Sequence, residues 1–253
     1  MTCVACGSNS SRRSKEHVFA AWLLDFLKAK KLRFGVFHLR GDGRVEPHRK
    51  EIELNSFTLN RICEDCNHGW MSRLEEQAKP VIKSLIRQEA TLDKLSRAQR
   101  HVLARWAGKT AIVESHAVAG ESPIDGKPLL WMREHENGEP GRFATVAYHA
   151  GFDAVGHLHV GIIRDLIGGG SVAGNIIVIT LPRLILICAF PLPELRYECR
   201  CDLSVLHPLW PDAVWKPIAG QLSAMPQTGS DSDTILDTVQ ALAERIELSH
   251  SLK

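Results

Sequence analysis

Apolar positions follow a helical period in the first half of the chain and an alternating or continuous one in the second. After the polar tetrad Ser14-Lys15-Glu16-His17, Val18, Ala21, Trp22 and Phe26 fall on one helical face. A helix is therefore expected to open here, with Ser14 suited to cap it. Residues 33–54 are strand-prone and broken by Gly41-Asp42-Gly43, which reads as a hairpin turn. A second helix is expected from Asn67 through Trp70, Met71 and Leu74 into residues 78–88, with Pro80 a point for a bend. After a connector at 89–95, residues 96–116 read as a helix capped by Ser96, with Val102, Leu103, Trp106 and Thr110 near one another on its surface. From residue 128 onward the texture is β. Strands are expected at 128–133, 143–149, 155–163, 174–181 and 184–190, with turns at Gly168-Gly169-Gly170 and Leu181-Pro182-Arg183. The last two strands read as a tight apolar hairpin buried on at least one side. A final amphipathic helix is expected over 232–249, where Ile235, Val239, Leu242 and Ile246 recur at helical spacing.

Composition narrows the class. With 253 residues, 44% hydrophobic and 24% charged, the chain is sized for one large or two modest domains, and a disordered or collagen-like protein is excluded. No run approaches the ~18 apolar residues of a membrane span. Met1-Thr2-Cys3-Val4-Ala5-Cys6 is not a basic region followed by an apolar one, so a cytoplasmic protein without a secretory signal is expected. The net charge of +2 hides an asymmetry: residues 1–88 hold 16 Lys and Arg against 10 Asp and Glu, while the rest holds 15 against 19. A basic first third suits a polyanionic partner such as nucleic acid, although many solvated surfaces carry a similar excess.

Seven cysteines, an odd number, argue against a disulfide framework. Four form two Cys-x-x-Cys pairs, Cys3/Cys6 and Cys63/Cys66, while Cys188, Cys199 and Cys201 lie far away, and Cys199 and Cys201, without a nearby second pair, read as free thiols. Two such pairs suit one tetrahedral zinc whose closed thiolate sphere leaves no place for water, hence a structural ion. The 56 residues between the pairs exceed the ~15–20 of a compact zinc ribbon, so the insert must carry structure of its own. Near this frame stand Glu16-His17 and Asn67. Glu16 and Asn67 offer oxygen to a hard divalent ion, and an imidazole can take a proton from water near neutral pH. A phosphodiester needs these parts: a cation for the phosphate and a base for the nucleophile. Plainer uses stay open. Glu16 suits a first helical turn, Asn67 a helix cap, His17 a packed or solvated position, and Glu75 a pairing with Arg12 or Arg13. His157 and His159 alternate in a β-like run and read as a solvated or interface face.

Cys3-x-x-Cys6, Ser14-Lys15-Glu16-His17 and Cys63-Glu64-Asp65-Cys66-Asn67-His68-Gly69-Trp70-Met71-Ser72-Arg73-Leu74-Glu75 together resemble the HNH (ββα-metal) endonucleases, and most the four-cysteine branch that includes phage junction-resolving enzymes. The resemblance covers about residues 1–76. It is similar to a bacterial group in which CxxCNxGWM follows an EH motif, and Ala104–Thr110 and Leu209-Trp210-Pro211 also look like that group's second half. The resemblance implies structural zinc on Cys3, Cys6, Cys63 and Cys66. It also implies Mg²⁺ or Mn²⁺ on Glu16 and Asn67, His17 as general base, and DNA cleavage to a 3′-hydroxyl and a 5′-phosphate. Glu16 stands where the family has aspartate, and Asn67 where it has His or Asn. Asn55 and Asn60 are candidates for the middle Asn, each at unusual spacing, and His68 ranks behind Asn67 as the last family residue.

The expected fold is α+β: a treble-clef-like zinc and ββα-metal domain over 1–88, then a larger α+β domain with an antiparallel sheet over 96–253. Arg12, Arg13, Lys15 and Arg73 are candidate phosphate contacts. DNA is the expected partner, with RNA the alternative substrate and residues 96–253 open to a homodimer or protein partner. Two other functions compete with a plain nuclease: a non-catalytic zinc module that binds nucleic acid or protein, and a nuclease toxin or defence effector.

Overall fold

A computed structural model describes residues 2–9, 12–39, 45–118, 124–141, 143–150, 156–162, 174–191, 197–201, 203–210, 215–217 and 246–250. It is a mixed α+β structure with antiparallel sheets and a four-cysteine cluster near its start. Strand β1 (Arg13–His17) precedes helix α1 (Ala21–Phe26), the antiparallel hairpin β2 (Arg33–Leu39) and β3 (Val45–Glu53), and β4 (Thr58–Cys63). The hairpin matches the expectation, and its Gly41-Asp42-Gly43 turn lies outside the described residues.

The tetrad Ser14–His17 is strand, not the opening of a helix. Its backbone groups are taken by β4, with Arg13 opposite Cys63 and His17 opposite Thr58. A helix needs those same groups for itself, so α1 waits until Ala21 and buries Leu23 and Leu24.

Helical structure resumes earlier than expected, inside the second Cys-x-x-Cys. α2 (Glu64–Cys66) runs through a π-turn at Asn67–Met71 into α3 (Ser72–Ile86). The non-helical residue in this path is Gly69, with φ −91° and ψ −113°, and Pro80 sits inside α3. α4 (Arg97–Val118) matches its expected span. Its start is a reciprocal cap: the Gln99 amide donates to Ser96 Oγ at 3.3 Å and the Ser96 amide to Gln99 Oε1 at 2.9 Å.

α5 (Lys127–Glu134) replaces the strand expected at 128–133. Pro128 stands in its first turn, where a missing N–H costs nothing, and the buried Leu129 and Met132 are spaced three apart. The Arg105 guanidinium donates to the carbonyls of Met132 at 2.6 Å and His135 at 2.5 Å, satisfying oxygens that the end of α5 leaves over.

The later strands are β5 (Ala144–His149), β6 (Gly156–Ile162), β7 (Gly174–Leu181), β8 (Leu184–Pro191), β9 (Tyr197–Cys201), β10 (His207–Trp210), β11 (Trp215–Pro217) and β12 (Ile246–His250). Five form an antiparallel sheet in the order β10-β5-β8-β7-β6. β7 and β8 make the expected hairpin, with Arg183 in the left-handed region at φ 62°. Gly168-Gly169-Gly170 lies outside the described residues. A second sheet has the order β11-β9-β12, with β11 parallel and β12 antiparallel to β9. The expected helix at 232–249 is therefore corrected at its end: Ile246–His250 pairs as a strand with Tyr197–Cys201, and residues 232–245 lie outside the described residues.

One buried cluster joins Phe19, Leu23, Met71 and Ile82 of the first part to Trp106, Ile112, Phe143 and Leu186 of the second. α4 is its centre. Every residue from Leu103 to Ser115 is buried, including Arg105, Lys109, Thr110 and Glu114. At Gly108 a Cβ would lie 2.4 Å from Phe143 Cζ, so only glycine lets the ring sit this close to the helix. No helix among the described residues is long and apolar enough to cross a membrane.

Candidate metal centre and adjoining cavity

Cys3 and Cys6 sit on a tight knuckle. The Gly7 amide donates to Cys3 O at 2.8 Å, the Cys3 amide to Ser8 O at 2.9 Å, and Gly7 adopts φ +72°. The knuckle is fastened to β4 by the Val4 amide on Arg61 O at 2.9 Å and by the Cys63 amide on Cys3 Sγ at 3.3 Å. The four Sγ atoms of Cys3, Cys6, Cys63 and Cys66 all lie within 4.8 Å of one another, and those of Cys6 and Cys63 are 3.7 Å apart. Four sulfurs about 2.3 Å from a tetrahedral zinc stand about 3.8 Å from each other, so the cluster fits such an ion.

Electrostatics agree with that fit. Burial opposes ionisation of Cys3, but amides of Cys63, Ala5 and Cys6 outweigh it and hold the thiol below its ordinary value. Burial, then the neighbouring cysteines, push Cys66 well up. Four close sulfurs cannot share negative charge without a cation, and a coordinating metal deprotonates them. Elsewhere, Cys188 and Cys201 are buried and take part in no disulfide, and burial pushes Cys188 up to about 12.

Beside the cluster lies a cavity of about 330 Å³. β1 supplies Ser14, Glu16 and His17, α1 supplies Trp22, and the helical path supplies Asn67, His68 and Glu75. Strand alternation sends neighbouring side chains to opposite faces, yet Glu16 and His17 both reach the cavity. β1 ends at His17, and its register slips just before Glu16. Asn67 Nδ2 donates to Ser14 Oγ at 2.6 Å and to Lys15 O at 3.4 Å. This clamp ties the residue after the last cysteine to the strand bearing the Glu-His pair.

Behind the cavity is a charge cluster the sequence reading missed. The fully buried Lys109 Nζ donates to Glu16 Oε1 at 3.0 Å and Glu75 Oε1 at 2.6 Å. Glu75 Oε2 accepts from Trp22 Nε1 at 2.7 Å and Trp106 Nε1 at 2.9 Å. Burial works to discharge Lys109, but the carboxylates of Glu16 and Glu75 outweigh it and hold its pKa above the ordinary value. Two carboxylates around one ammonium leave a net negative charge at the cavity wall. The sequence signal was present in α4: Arg105 and Lys109, four residues apart, interrupt a largely apolar run, and a cation on such a face needs buried acceptors, carbonyls for Arg105 and carboxylates for Lys109. Glu75 is one of those carboxylates, so its partner is Lys109 rather than Arg12 or Arg13.

The remaining candidates lie outside the cavity or at its rim. Arg12, Arg13 and Lys15 are exposed, with Lys15 at the rim. Arg73 is also exposed, and its guanidinium is held by the Glu136 carboxylate through bonds of 2.9 and 2.5 Å. Asn55 and Asn60 are exposed away from the cavity. His157 and His159 fall on β6, opposite Ile179 and Ile177. Among the described residues, the four cysteines form the one group of three or more Cys, His, Asp or Glu ligand atoms near enough to share an ion. Comparison of the chain with protein-family models, with curated proteins and with solved structures returns no match.

Proposed function

We propose that the chain is a metal-dependent endonuclease of the HNH type, hydrolysing phosphodiester bonds in DNA at the cavity beside the cysteine cluster. One observation carries this reading: the adjacent Glu16 and His17 line the same cavity as Asn67, about fifty residues further along the chain. The order of β1, β4 and the helical path from Glu64, with zinc pinning both ends, supports a ββα-metal unit.

The donor set suits a hard cation. Lys109 occupies Glu16 Oε1 and the Asn67 amide nitrogen is spent on Ser14, so the second carboxylate oxygen and the Asn67 carbonyl oxygen are left as donors. A bound Mg²⁺ or Mn²⁺ would neutralise charge on the phosphate. The excess negative charge of the Glu16–Lys109–Glu75 cluster favours a cation here. His17 accepts the proton of the attacking water. Arg12, Arg13 and Lys15 contact backbone phosphates beyond the cavity.

A second reading, a non-catalytic zinc-stabilised module for nucleic acid or protein, is favoured by one feature: Glu16 and Arg73 already have protein partners in Lys109 and Glu136. Titration with Mn²⁺ after zinc loading separates the two. The nuclease takes up a second, weaker ion and cuts DNA, whereas the module does neither.

A further inference from the structure

We propose that Lys109 is a positioning residue of this cavity, fixing the Glu16 carboxylate from behind, so that α4 of the second part completes a site whose other parts lie in the first 76 residues. The inference rests on the nuclease reading and adds to it a residue outside the segment that carries the motif.

The contacts form a directed chain. Glu75 is held at both oxygens, with Lys109 on Oε1 and the indoles of Trp22 and Trp106 on Oε2. With three donors on two oxygens it is an anchor rather than a ligand. Lys109, held by that anchor, reaches Oε1 of Glu16, a residue that lines the cavity, and takes one of its two carboxylate oxygens. Lys109 would otherwise be a flexible side chain, but here it is fully enclosed and fixed from two sides. An apolar group would fill the same volume, and replacing a buried charge triad with packed apolar residues is often neutral or stabilising. Core filling alone therefore does not account for three charged groups at the wall of a cavity that Glu16 lines. Orientation of Glu16 does.

The test uses the full-length zinc-loaded protein and two variants, Glu75→Gln and Lys109→Met. Each is measured for zinc content, thermal midpoint, Mn²⁺ affinity and steady-state plasmid cleavage. Glu75→Gln removes the anchor's charge, leaves Lys109 and Glu16 as a matched pair and keeps one acceptor oxygen for either Lys109 or the two indoles, so it is the milder variant and the one expected to fold even if Lys109→Met does not. Both are expected to keep one zinc. Glu75→Gln should lose about 10–100-fold in Mn²⁺ affinity and in kcat, the scale of lost outer-shell support, with KM for DNA unchanged. A folded, zinc-loaded Glu75→Gln protein with Mn²⁺ affinity and kcat within about twofold of wild type would overturn the role. Wild-type protein that neither binds Mn²⁺ nor cuts DNA overturns the nuclease reading itself, and that outcome shows before any variant is made.

Discussion

Asn67 donates its side-chain amide to Ser14 Oγ across 2.6 Å, joining the residue after the last cysteine to the strand that carries Glu16 and His17. The bond links two segments that the cysteine cluster already brings together, since Arg13 pairs with Cys63 and the Glu64 amide donates to Arg12 O at 2.8 Å. The cluster sets the approach of strand and helix, and the Asn67–Ser14 bond sets the fine spacing of the cavity wall.

Asn67→Ala removes this clamp and, on the proposed reading, a metal-ligand oxygen. Denaturant unfolding should show a loss of about 1 kcal/mol, the net worth of one such bond. Mn²⁺ affinity and cleavage should fall by at least about tenfold. A variant that loses stability but keeps cleavage would confine Asn67 to a structural role.

The cysteine cluster predicts one tightly held zinc per chain. Cys63→Ser should lose that ion, and with it the pinning of β1 to β4, because binding energy in such sites is folding energy. Metal analysis together with thermal unfolding checks this. Full wild-type stability after chelation would contradict it.

His116, in the last turn of α4, gives a pH dependence. Burial, then the nearby Arg61 guanidinium, lower its pKa to about 4, against the opposing pull of Asp125. In the unfolded chain the value is about 6.5. The neutral ring therefore contributes stability that is fully present above about pH 6.5 and is lost as pH falls toward 4, where the unfolded chain takes a proton that the folded one refuses. Thermal midpoints from pH 7 to 4 should drop less for His116→Gln than for wild type. Parallel curves would remove His116 from the acid response.

Much of this arrangement was legible in the sequence. Spacing alone paired the two Cys-x-x-Cys motifs, and apolar runs with turn residues located α4, β5, β7 and β8. What escaped was decided by distant partners. Ser14–His17 has the look of a helix start, but β4 claims its backbone. Residues 128–133 look strand-like until Arg105 binds the carbonyls that end α5. Ile246 fits a helical repeat, but Cys201 is its neighbour in a sheet. The Glu16–Lys109 pair spans 93 residues, and no local pattern encodes which carboxylate a buried lysine will meet.

The most direct test of the nuclease reading is cleavage of supercoiled plasmid by zinc-loaded protein in Mg²⁺ or Mn²⁺, run beside a His17→Ala variant of equal zinc content and thermal midpoint. The account predicts nicked or linear product from wild type and a loss of at least about 100-fold in the variant, the scale of a general base. Equal cleavage by the two proteins would contradict it, because the imidazole on the cavity wall would then have no part in the chemistry.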